Sequence, residues 1–241
     1  MTTETNDPWE QHAGWWQEGF TDGADPEYTE QMIPLAVEQA AGAERVLDIG
    51  TGEGQVARAL ATVGHEVVGL DPTWNQIRVA VERVGGPTYA RASAGALPVP
   101  DASFDAVVAC LVFEHIVEFD AALAEVARVL RPGGVFLWFL NHPLLQTPGS
   151  GWIDDQIMGE QYWRVGPYLR ADSRLEELSP GVYLPYVHRP LNEYVNAMVD
   201  FGLALDLMLE PPPPAGFLAA APEYAGAASI PRLLFLRGVK S

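Results

Sequence analysis

The segment Val46–Leu60, VLDIGTGEGQVARAL, decides the fold class of this chain. It opens with mostly apolar residues, which predict a short buried strand. Glycines at alternate positions, Gly50, Gly52 and Gly54, allow the backbone to turn sharply and to approach a ligand closely. Apolar residues at helical spacing follow and predict a helix over 54–63. A strand, a glycine-rich turn and a helix N-terminus together are typical of a nucleotide-binding site.

Two acidic residues near this turn indicate which kind of nucleotide binds. Asp71 follows the next predicted strand, where a carboxylate can accept hydrogen bonds from both hydroxyls of a ribose. The glycines run G-x-G-x-G, whereas the dinucleotide fingerprint is G-x-G-x-x-G, and only Arg45 and Arg58 flank the loop. Asp48 suits a ligand with a cationic amino group better than a pyrophosphate. The pattern therefore favours S-adenosylmethionine (SAM), which has an ammonium, a sulfonium and no phosphate; the alternative is an ordinary strand-to-helix turn.

Strand and helix patterns alternate along most of the chain, which predicts a mostly parallel sheet with helices on both faces. The predicted strands are 45–49, 66–70, 88–91, 104–110 and 134–140, and the predicted helices are 26–41, 54–63, 73–83 and 119–130. Towards the end of the chain we predict a helix over 191–201, strands over 204–210 and 232–239, and an extended loop between these two strands.

Four motifs occur in a fixed order: VLDIGTGEG (46–54), VVGLDP (67–72), ALPVPDASFDAVVACLVFEHI (96–116) and VARVLRPGGVFLWF (126–139). They resemble the class I SAM-dependent methyltransferases, in the branch of small-molecule enzymes called methyltransferase type 11. The resemblance is strong over 44–140 and weak elsewhere. It implies a Rossmann-like α/β sheet, mostly parallel with an antiparallel last strand, and a cap inserted after the fifth strand.

The resemblance also implies which residues bind the cofactor SAM. Asp71 would bind the ribose hydroxyls, and Ser93 stands at the adenine edge, where the family often has an acidic residue. The expected cofactor-binding residues are Trp16, Asp48, Gly50, Thr51, Gly52, Gly54, Asp71, Pro72, Ser93, Ala94, Cys110 and Leu111.

Composition limits the function further. The chain has 241 residues, 48% of them hydrophobic, so it can bury one sizeable core and is predicted to form a single domain over 1–241. A net charge of −18 and a single lysine, Lys240, argue against nucleic acid as a partner. One cysteine excludes an internal disulfide, no Cys/His cluster has metal-ligand spacing, and no apolar run reaches the ~18 residues that cross a bilayer. We expect a cytoplasmic protein without metal or membrane contact, either monomeric or homodimeric.

Two segments outside the motifs are candidates for covering the site. Residues 1–25 carry Trp9, Trp16 and other aromatic residues, which either form a lid over the site or anchor the segment on the core. Residues 141–190 are rich in Pro, Gly and aromatic residues and follow a parallel strand, so they start at the sheet edge where ligands bind. We interpret 141–190 as an acceptor-binding cap.

Histidines near strand ends are the candidates for catalysis, because a general base assists methyl transfer to a hydroxyl and histidine is the usual base near neutral pH. His115 follows the fourth strand and His142 follows the fifth. The alternatives are a packing or capping role for His115 and a turn position for His142. The candidates for binding the acceptor, each of which could instead pack the cap on the core, are Tyr162, Trp163, Tyr168 and His188.

These observations predict transfer of a methyl group from SAM to a small-molecule acceptor, apolar or aromatic, with O-methylation preferred over N-methylation. One alternative is a nicotinamide-dependent Rossmann oxidoreductase or epimerase. The other is a non-catalytic SAM-binding regulatory protein, which differs from the enzyme only in the absence of turnover.

Overall fold

A seven-stranded sheet forms the centre of the computed structural model, which describes residues 7–241. The order of its strands is β10-β11-β5-β4-β1-β2-β3. The strands are β1 (Arg45–Ile49), β2 (Glu66–Asp71), β3 (Thr88–Arg91), β4 (Phe104–Cys110), β5 (Leu130–Asn141), β10 (Leu203–Leu209) and β11 (Leu233–Lys240). Strand β11 runs antiparallel to both of its neighbours, and the other pairings are parallel. The predicted mostly parallel sheet with an antiparallel last strand is confirmed.

The central strands are apolar on both sides because helices cover both faces of the sheet. In β1, Leu47 belongs to one hydrophobic core and Val46 to the other, as expected when side chains alternate along a strand. The first core is closed by α5 (Phe119–Val129) and α6 (Leu191–Asp200), and the second by α2 (Ile33–Gln39) and α3 (Gln55–Thr62). Helix α4 (Trp74–Glu82) packs along β2 and β3.

The chain before β1 forms helical segments that border the sheet. Helix α1 (Pro8–Phe20) starts after Asp7, whose Oδ1 accepts a hydrogen bond from the Trp9 N–H at 3.0 Å. The helix predicted over 26–41 is present, but it contains a π-helical turn at Tyr28–Met32 that the apolar spacing did not predict. Such turns insert an extra residue and are frequent at functional sites. Residues 1–6 of the predicted lid lie outside the described residues.

The segment between β5 and α6 folds into two antiparallel hairpins, whose strands were not predicted from the sequence. They are β6 (Gly151–Asp155) with β7 (Glu160–Arg164), and β8 (Asp172–Ser179) with β9 (Val182–His188). Strand β9 is mostly buried, whereas β8 is mostly exposed. The second hairpin therefore has one strand against the protein and one towards solvent.

The prediction of an extended loop between β10 and β11 was wrong in part. Helix α7 (Ala215–Ala220) and a 3₁₀ segment at Pro222–Ala227 occupy most of it. Arg232 holds this region, because its guanidinium stacks 4.1 Å from the Phe217 ring centroid and pairs with Glu27 at 2.8 Å. Within residues 7–241, no helix has the length and apolar character required to cross a membrane.

Candidate active-site cleft

A cleft that is partly open to solvent lies at the carboxyl ends of β1, β2 and β4. Ligands of parallel α/β sheets bind at this edge. The structure brings together there most of the residues that the sequence singled out. Those that line the cleft are Trp16, Asp48, Gly50, Thr51, Gly52, Asp71, Pro72, Ser93, Ala94, Cys110, Leu111 and His115.

Each of the three glycines in the first motif is required for a different structural reason. All have positive φ angles, +68° for Gly50, +55° for Gly52 and +86° for Gly54, which disfavour other residues. A Cβ on Gly52 would point into open space near Trp16 Nε1, 4.0 Å away, so Gly52 leaves room at the cleft for a ligand. A Cβ on Gly54 would collide with the ring of Tyr89. Gly54 does not line the cleft, and its lack of a side chain allows the loop to pack on Tyr89 of β3; its contact with the cofactor stays a prediction.

Asp71 ends β2 with its carboxylate held by the backbone. Its Oδ2 accepts a hydrogen bond from the Gly52 N–H at 3.0 Å, and its Oδ1 accepts one from the Thr73 N–H at 2.8 Å. Burial raises the pKa of Asp71, and these backbone hydrogen bonds oppose the rise. Each carboxylate oxygen keeps further acceptor capacity for a ligand hydroxyl.

Asp48 is a buried carboxylate without a cationic partner among the residues that the structure describes. Its Oδ2 accepts a hydrogen bond from Thr51 Oγ1 at 2.7 Å, and only 2% of the residue is exposed. Burial raises the pKa of Asp48 to about 7; the hydrogen bond from Thr51 lowers it, and the negative charge of Asp71 raises it again. A cationic ligand group beside Asp48 would supply the missing charge partner, which the ammonium of SAM fits.

Glu53 is a further cleft residue that the sequence did not single out, although it lies inside the GTGEG turn. It is almost fully buried, and its Oε2 pairs with Arg58 at 2.6 Å and with Arg83 at 2.5 Å. Its Oε1 is buried and has no hydrogen-bond partner within residues 7–241. The same Arg83 reaches Asp22 at 3.0 Å, so Glu53 ties the glycine-rich loop to the segment after α1.

His115 lies in a 3₁₀ turn, Phe113–His115, directly after β4 and lines the cleft. Its Nδ1 is 2.6 Å from the carbonyl oxygen of Pro185 in β9. A carbonyl oxygen can only accept, so Nδ1 carries the hydrogen, and Nε2 of the neutral ring keeps its lone pair. The Trp9 ring packs edge-on against His115 with a centroid distance of 4.9 Å. The His115 ring is thus fixed on two sides.

Arg189, a residue that the sequence analysis missed, fastens the turn that carries His115. Its Nη1 donates to the Phe113 carbonyl at 3.2 Å, and its Nη2 donates to the Ile116 carbonyl at 2.7 Å. The guanidinium lies 4.4 Å from the ring centroid of Phe119, and only 6% of the residue is exposed. No motif contains Arg189, because its partners are backbone carbonyls from a distant part of the chain.

His142, the second candidate base, does not reach the cleft. Its Nε2 donates to Glu210 Oε1 at 2.8 Å, and its Nδ1 accepts from the Leu144 N–H at 3.2 Å. The ring is buried, and both nitrogens are occupied. Although His142 follows the fifth strand as predicted, its side chain joins β5 to the segment after β10 and does not face the cleft.

The four residues expected to bind the acceptor also lie away from the cleft lining. His188 is buried and donates from Nε2 to the Tyr168 carbonyl at 2.8 Å, and the Tyr168 hydroxyl accepts from the Leu191 N–H at 2.8 Å at the start of α6. Tyr162 and Trp163 belong to the first hairpin, where Tyr162 is 45% exposed and Trp163 pairs with Trp152. The contacts of His188 and Tyr168 are those of the packing alternative, and acceptor binding by the four residues stays a prediction.

Helix α1 covers one side of the cleft. Trp9 and Trp16 line it, and Trp16 also packs on the second core with Phe20. Glu10 fixes the helix, because its carboxylate accepts hydrogen bonds from the N–H groups of Trp74 at 2.5 Å and Asn75 at 3.0 Å at the start of α4. Both sequence interpretations of this segment thus describe part of its position.

Other residues that line the cleft were not singled out from the sequence. Tyr28 lies in the π-helical turn and is 3% exposed, and burial raises its pKa well above the ordinary value. The remaining lining residues not predicted include Gln76, Val112 and Ile116. Within residues 7–241, no group of three His, Cys, Asp or Glu side chains is placed to hold a metal ion.

Comparison with known proteins gives a consistent likeness. Residues 47–138 match the family model of the methyltransferase domain. The chain is 36% identical over 118 residues to a demethylmenaquinone methyltransferase of Thermus thermophilus, across 46% of this chain and 53% of that protein. It is 36% identical over 120 residues to a malonyl-[acyl-carrier protein] O-methyltransferase of Serratia marcescens, across 49% of this chain and 46% of that protein. The chain thus spans about half the length of these curated relatives.

A solved structure extends the likeness beyond the motif region. The crystal structure of a SAM-dependent methyltransferase from Mesorhizobium loti has a TM-score of 0.75 and 27% sequence identity, covering 86% of this chain and 96% of that chain.

The fold and the cleft are those of a nucleoside-binding α/β protein. Next to β5 the sheet has the antiparallel strand β11, and β10 forms the edge. The dinucleotide-binding strand order 3-2-1-4-5-6 has no such antiparallel strand. Residues 47–138 form a methyltransferase domain, and the fold and these likenesses are those of a class I SAM-dependent methyltransferase, as the four motifs predicted. SAM is the cofactor of this family, and the nicotinamide-dependent alternative has no support in the sheet order or in these likenesses.

Proposed function

We propose that the protein transfers the methyl group of SAM to a hydroxyl of a small-molecule acceptor, with His115 as the general base. The observation that carries the proposal is the pair of buried carboxylates on the two sides of the glycine-rich loop. Asp71 offers acceptor atoms to a ribose, and Asp48 lacks a cation. One ligand with a ribose at one end and an ammonium at the other satisfies both.

Different cleft residues would contact different parts of SAM. Asp71 would bind the ribose hydroxyls, and Asp48 would bind the ammonium beside the glycines of the loop. Trp16, from α1, would close over Gly52. The adenine would lie against Pro72, Ser93 and Ala94, and the methionine part against Thr51, Cys110 and Leu111.

Proximity and proton removal are what the chain itself would contribute to the reaction. When bound, SAM supplies a methyl group on a positively charged sulfur, which leaves as a neutral thioether with the electron pair of the broken carbon–sulfur bond. His115 Nε2 would accept the proton of the acceptor hydroxyl, because Nδ1 is held by Pro185 in the donor role. Because a general base assists methyl transfer to a hydroxyl, we propose O-methylation in preference to N-methylation.

The proposal also gives roles to helix α1 and to the cap, residues 141–190. Helix α1 would act as a lid, because its Trp9 and Trp16 side chains line one side of the cleft. The cap would act through β9, whose Pro185 orients His115. A cytoplasmic location and a monomeric or homodimeric state stay predictions from the sequence.

The proposal is tested by calorimetric titration with SAM, S-adenosylhomocysteine and NAD, followed by measurement of S-adenosylhomocysteine release with an acceptor panel. Binding of the first two ligands without NAD, together with turnover that His115→Ala loses, would support it. Binding of SAM without turnover on any hydroxyl acceptor would favour the non-catalytic regulatory alternative. Binding of NAD alone would overturn the cofactor assignment.

A further inference from the structure

The cleft has an unusual charge distribution for a site that admits a second substrate. Three of its lining residues are acidic, Asp48, Glu53 and Asp71, and none is Lys or Arg among the residues that the structure describes. In the proposed function, Asp48 pairs with the ammonium of SAM and Asp71 binds its ribose hydroxyls. Burial raises the pKa of the Cys110 thiol, and the carboxylate of Asp48 raises it further, as expected from a negative potential inside the cleft.

The guanidinium groups near the cleft are paired with Glu53 or with backbone carbonyls and do not line the cleft. Arg58 and Arg83 pair with Glu53 Oε2 on the far side of the loop. Arg189 is buried beneath the turn of His115, where its N–H groups donate to backbone carbonyls. Arg91 donates to the Pro72 carbonyl at 2.6 Å and is half exposed.

The single lysine also lies far from the cleft. Lys240 pairs with Leu203 at the end of β11, and its neighbour Val239 pairs with Val135 near the start of β5. Because β11 is antiparallel, its last residues lie at the amino end of the parallel strands, whereas the cleft lies at the carboxyl end. No cation of the described chain therefore stands ready to neutralise an anion in the cleft.

Around His115 the walls are aromatic and apolar. Trp9 and Trp16 stand edge-to-face with centroids 5.7 Å apart, and Trp9 stands edge-to-face with His115. Leu111 and Ile116 complete the surroundings from the segment after β4. Edge-to-face contacts with such rings are the arrangement that a planar aromatic ligand prefers.

We infer that the methyl acceptor is an uncharged aromatic hydroxyl compound, of the phenol or hydroquinone class, and that acceptors carrying a carboxylate or phosphate are rejected. The inference rests on the proposed function and names the substrate class of that site. An anion that enters the cleft loses its hydration and finds no Lys or Arg in exchange, and burial of an unpaired charge is costly. A neutral ring loses little hydration and gains aromatic contacts.

The reaction of such an acceptor balances with the groups present. The ring hydroxyl oxygen forms the new bond to the methyl carbon, and the bond from that carbon to sulfur breaks with its electrons remaining on sulfur. The hydroxyl proton goes to His115 Nε2. The products are a neutral methyl ether, a neutral thioether and a protonated histidine, which returns the proton to solvent.

Two acceptors of equal ring pattern test the inference: 3,4-dihydroxybenzyl alcohol, which is neutral, and 3,4-dihydroxybenzoate, which is an anion. Turnover is measured as S-adenosylhomocysteine release, and binding of each ring to the protein loaded with S-adenosylhomocysteine is measured by calorimetry. We expect kcat/KM to favour the neutral ring by about tenfold or more. Equal or better use of the anion would overturn the charge assignment while leaving methyl transfer intact.

A variant that adds a cation provides the matched control. Trp9→Arg places a guanidinium beside His115, and Trp9→Leu removes the same ring without adding charge. The ratio of anion to neutral turnover should rise in Trp9→Arg relative to Trp9→Leu, and an unchanged ratio would count against the inference. If SAM binds but neither ring binds or reacts, the aromatic hydroxyl class is wrong. If SAM itself does not bind, the proposed function fails instead.

Discussion

The Nδ1 atom of His115 lies 2.6 Å from the carbonyl oxygen of Pro185, 70 residues further along the chain. His115 follows the central strand β4, whereas Pro185 belongs to β9, in the inserted hairpin. This contact sets the tautomer of His115 and places the lone pair on Nε2. The cap therefore influences the proposed base through a backbone atom, although its aromatic side chains do not line the cleft.

Replacing His115 should lower kcat, whereas replacing His142 should lower stability. His115→Ala should lower kcat by roughly 100-fold or more, because a general base contributes on that scale, while leaving SAM affinity nearly unchanged. His142→Ala should leave kcat nearly unchanged and lower stability by about 1–3 kcal/mol, because Glu210 and the Leu144 N–H lose their partner. Steady-state kinetics and thermal unfolding of both variants measure these effects.

His65→Ala is the matched control for both histidines, because His65 precedes β2 at the end of the sheet away from the cleft. Loss of turnover in His142→Ala at full stability would return His142 to the catalytic site. Full turnover in His115→Ala would remove the proposed base.

Asp71→Ala should weaken SAM binding by roughly 10- to 150-fold. Hydrogen bonds to a charged carboxylate contribute about 1.5–3 kcal/mol, and the variant also frees the N–H groups of Gly52 and Thr73. Calorimetric titration of SAM measures the change, with Asp200→Ala as an exposed acidic control. An affinity equal to that of the control would mean that the ribose lies elsewhere.

SAM affinity should depend on pH through Asp48, whose pKa burial raises to about 7 in the free protein. A cationic ligand binds the charged carboxylate, so affinity should rise as the pH rises towards 7 and fall by roughly tenfold per pH unit below it. Titrations between pH of about 5.5 and about 7.5 measure this slope. Asp48→Asn should bind more weakly and lose most of the slope; the part that it keeps belongs to Asp71, whose pKa is also raised. A full slope in Asp48→Asn would contradict the role of Asp48.

The same variant should stabilise the ligand-free protein at high pH. The raised pKa means that the folded protein keeps the proton of Asp48 between about pH 4 and pH 7, where the unfolded chain has lost it. The free energy of unfolding therefore falls as the pH rises through this range, and the cost is complete above about 7. Asp48→Asn removes that cost and can still accept the hydrogen bond from Thr51. Thermal unfolding at pH of about 8 should show a higher Tm than wild type, and a lower Tm would argue that Asp48 is stabilising without ligand.

Arg189 is predicted to position His115. Arg189→Met should lower stability by about 1–3 kcal/mol, because the Phe113 and Ile116 carbonyls lose their donors. It should also lower kcat, with the KM for SAM nearly unchanged, and shift the pH profile of kcat, because the turn that holds His115 loosens. Arg189→Lys should restore part of kcat, and Arg174→Met, on the exposed strand β8, serves as the control. A stability loss with unchanged kcat and an unchanged pH profile would leave Arg189 with a structural role only.

The motif region could be predicted from the sequence because its information is local. The apolar run of β1, the glycines at 50, 52 and 54 and the acid at 71 each constrain a short piece of backbone, and parallel strands bring their ends to one edge. The cofactor side of the cleft follows from that geometry, and this is why Asp48, Asp71 and Cys110 lie together as predicted.

Tertiary structure decided which histidine faces the cleft and which side chains support it. His115 and His142 both follow strands at the same sheet edge, so strand position alone did not separate them; Glu210 and Pro185, each about 70 residues away, did. Arg189 had no sequence signal, because it recognises backbone carbonyls and not side chains. The two hairpins of the cap were missed because each has a mostly exposed strand, β7 or β8, without the regular apolar alternation of a half-buried strand. Long-range contacts of this kind exist only once the sheet has formed, so no local pattern in the sequence records them.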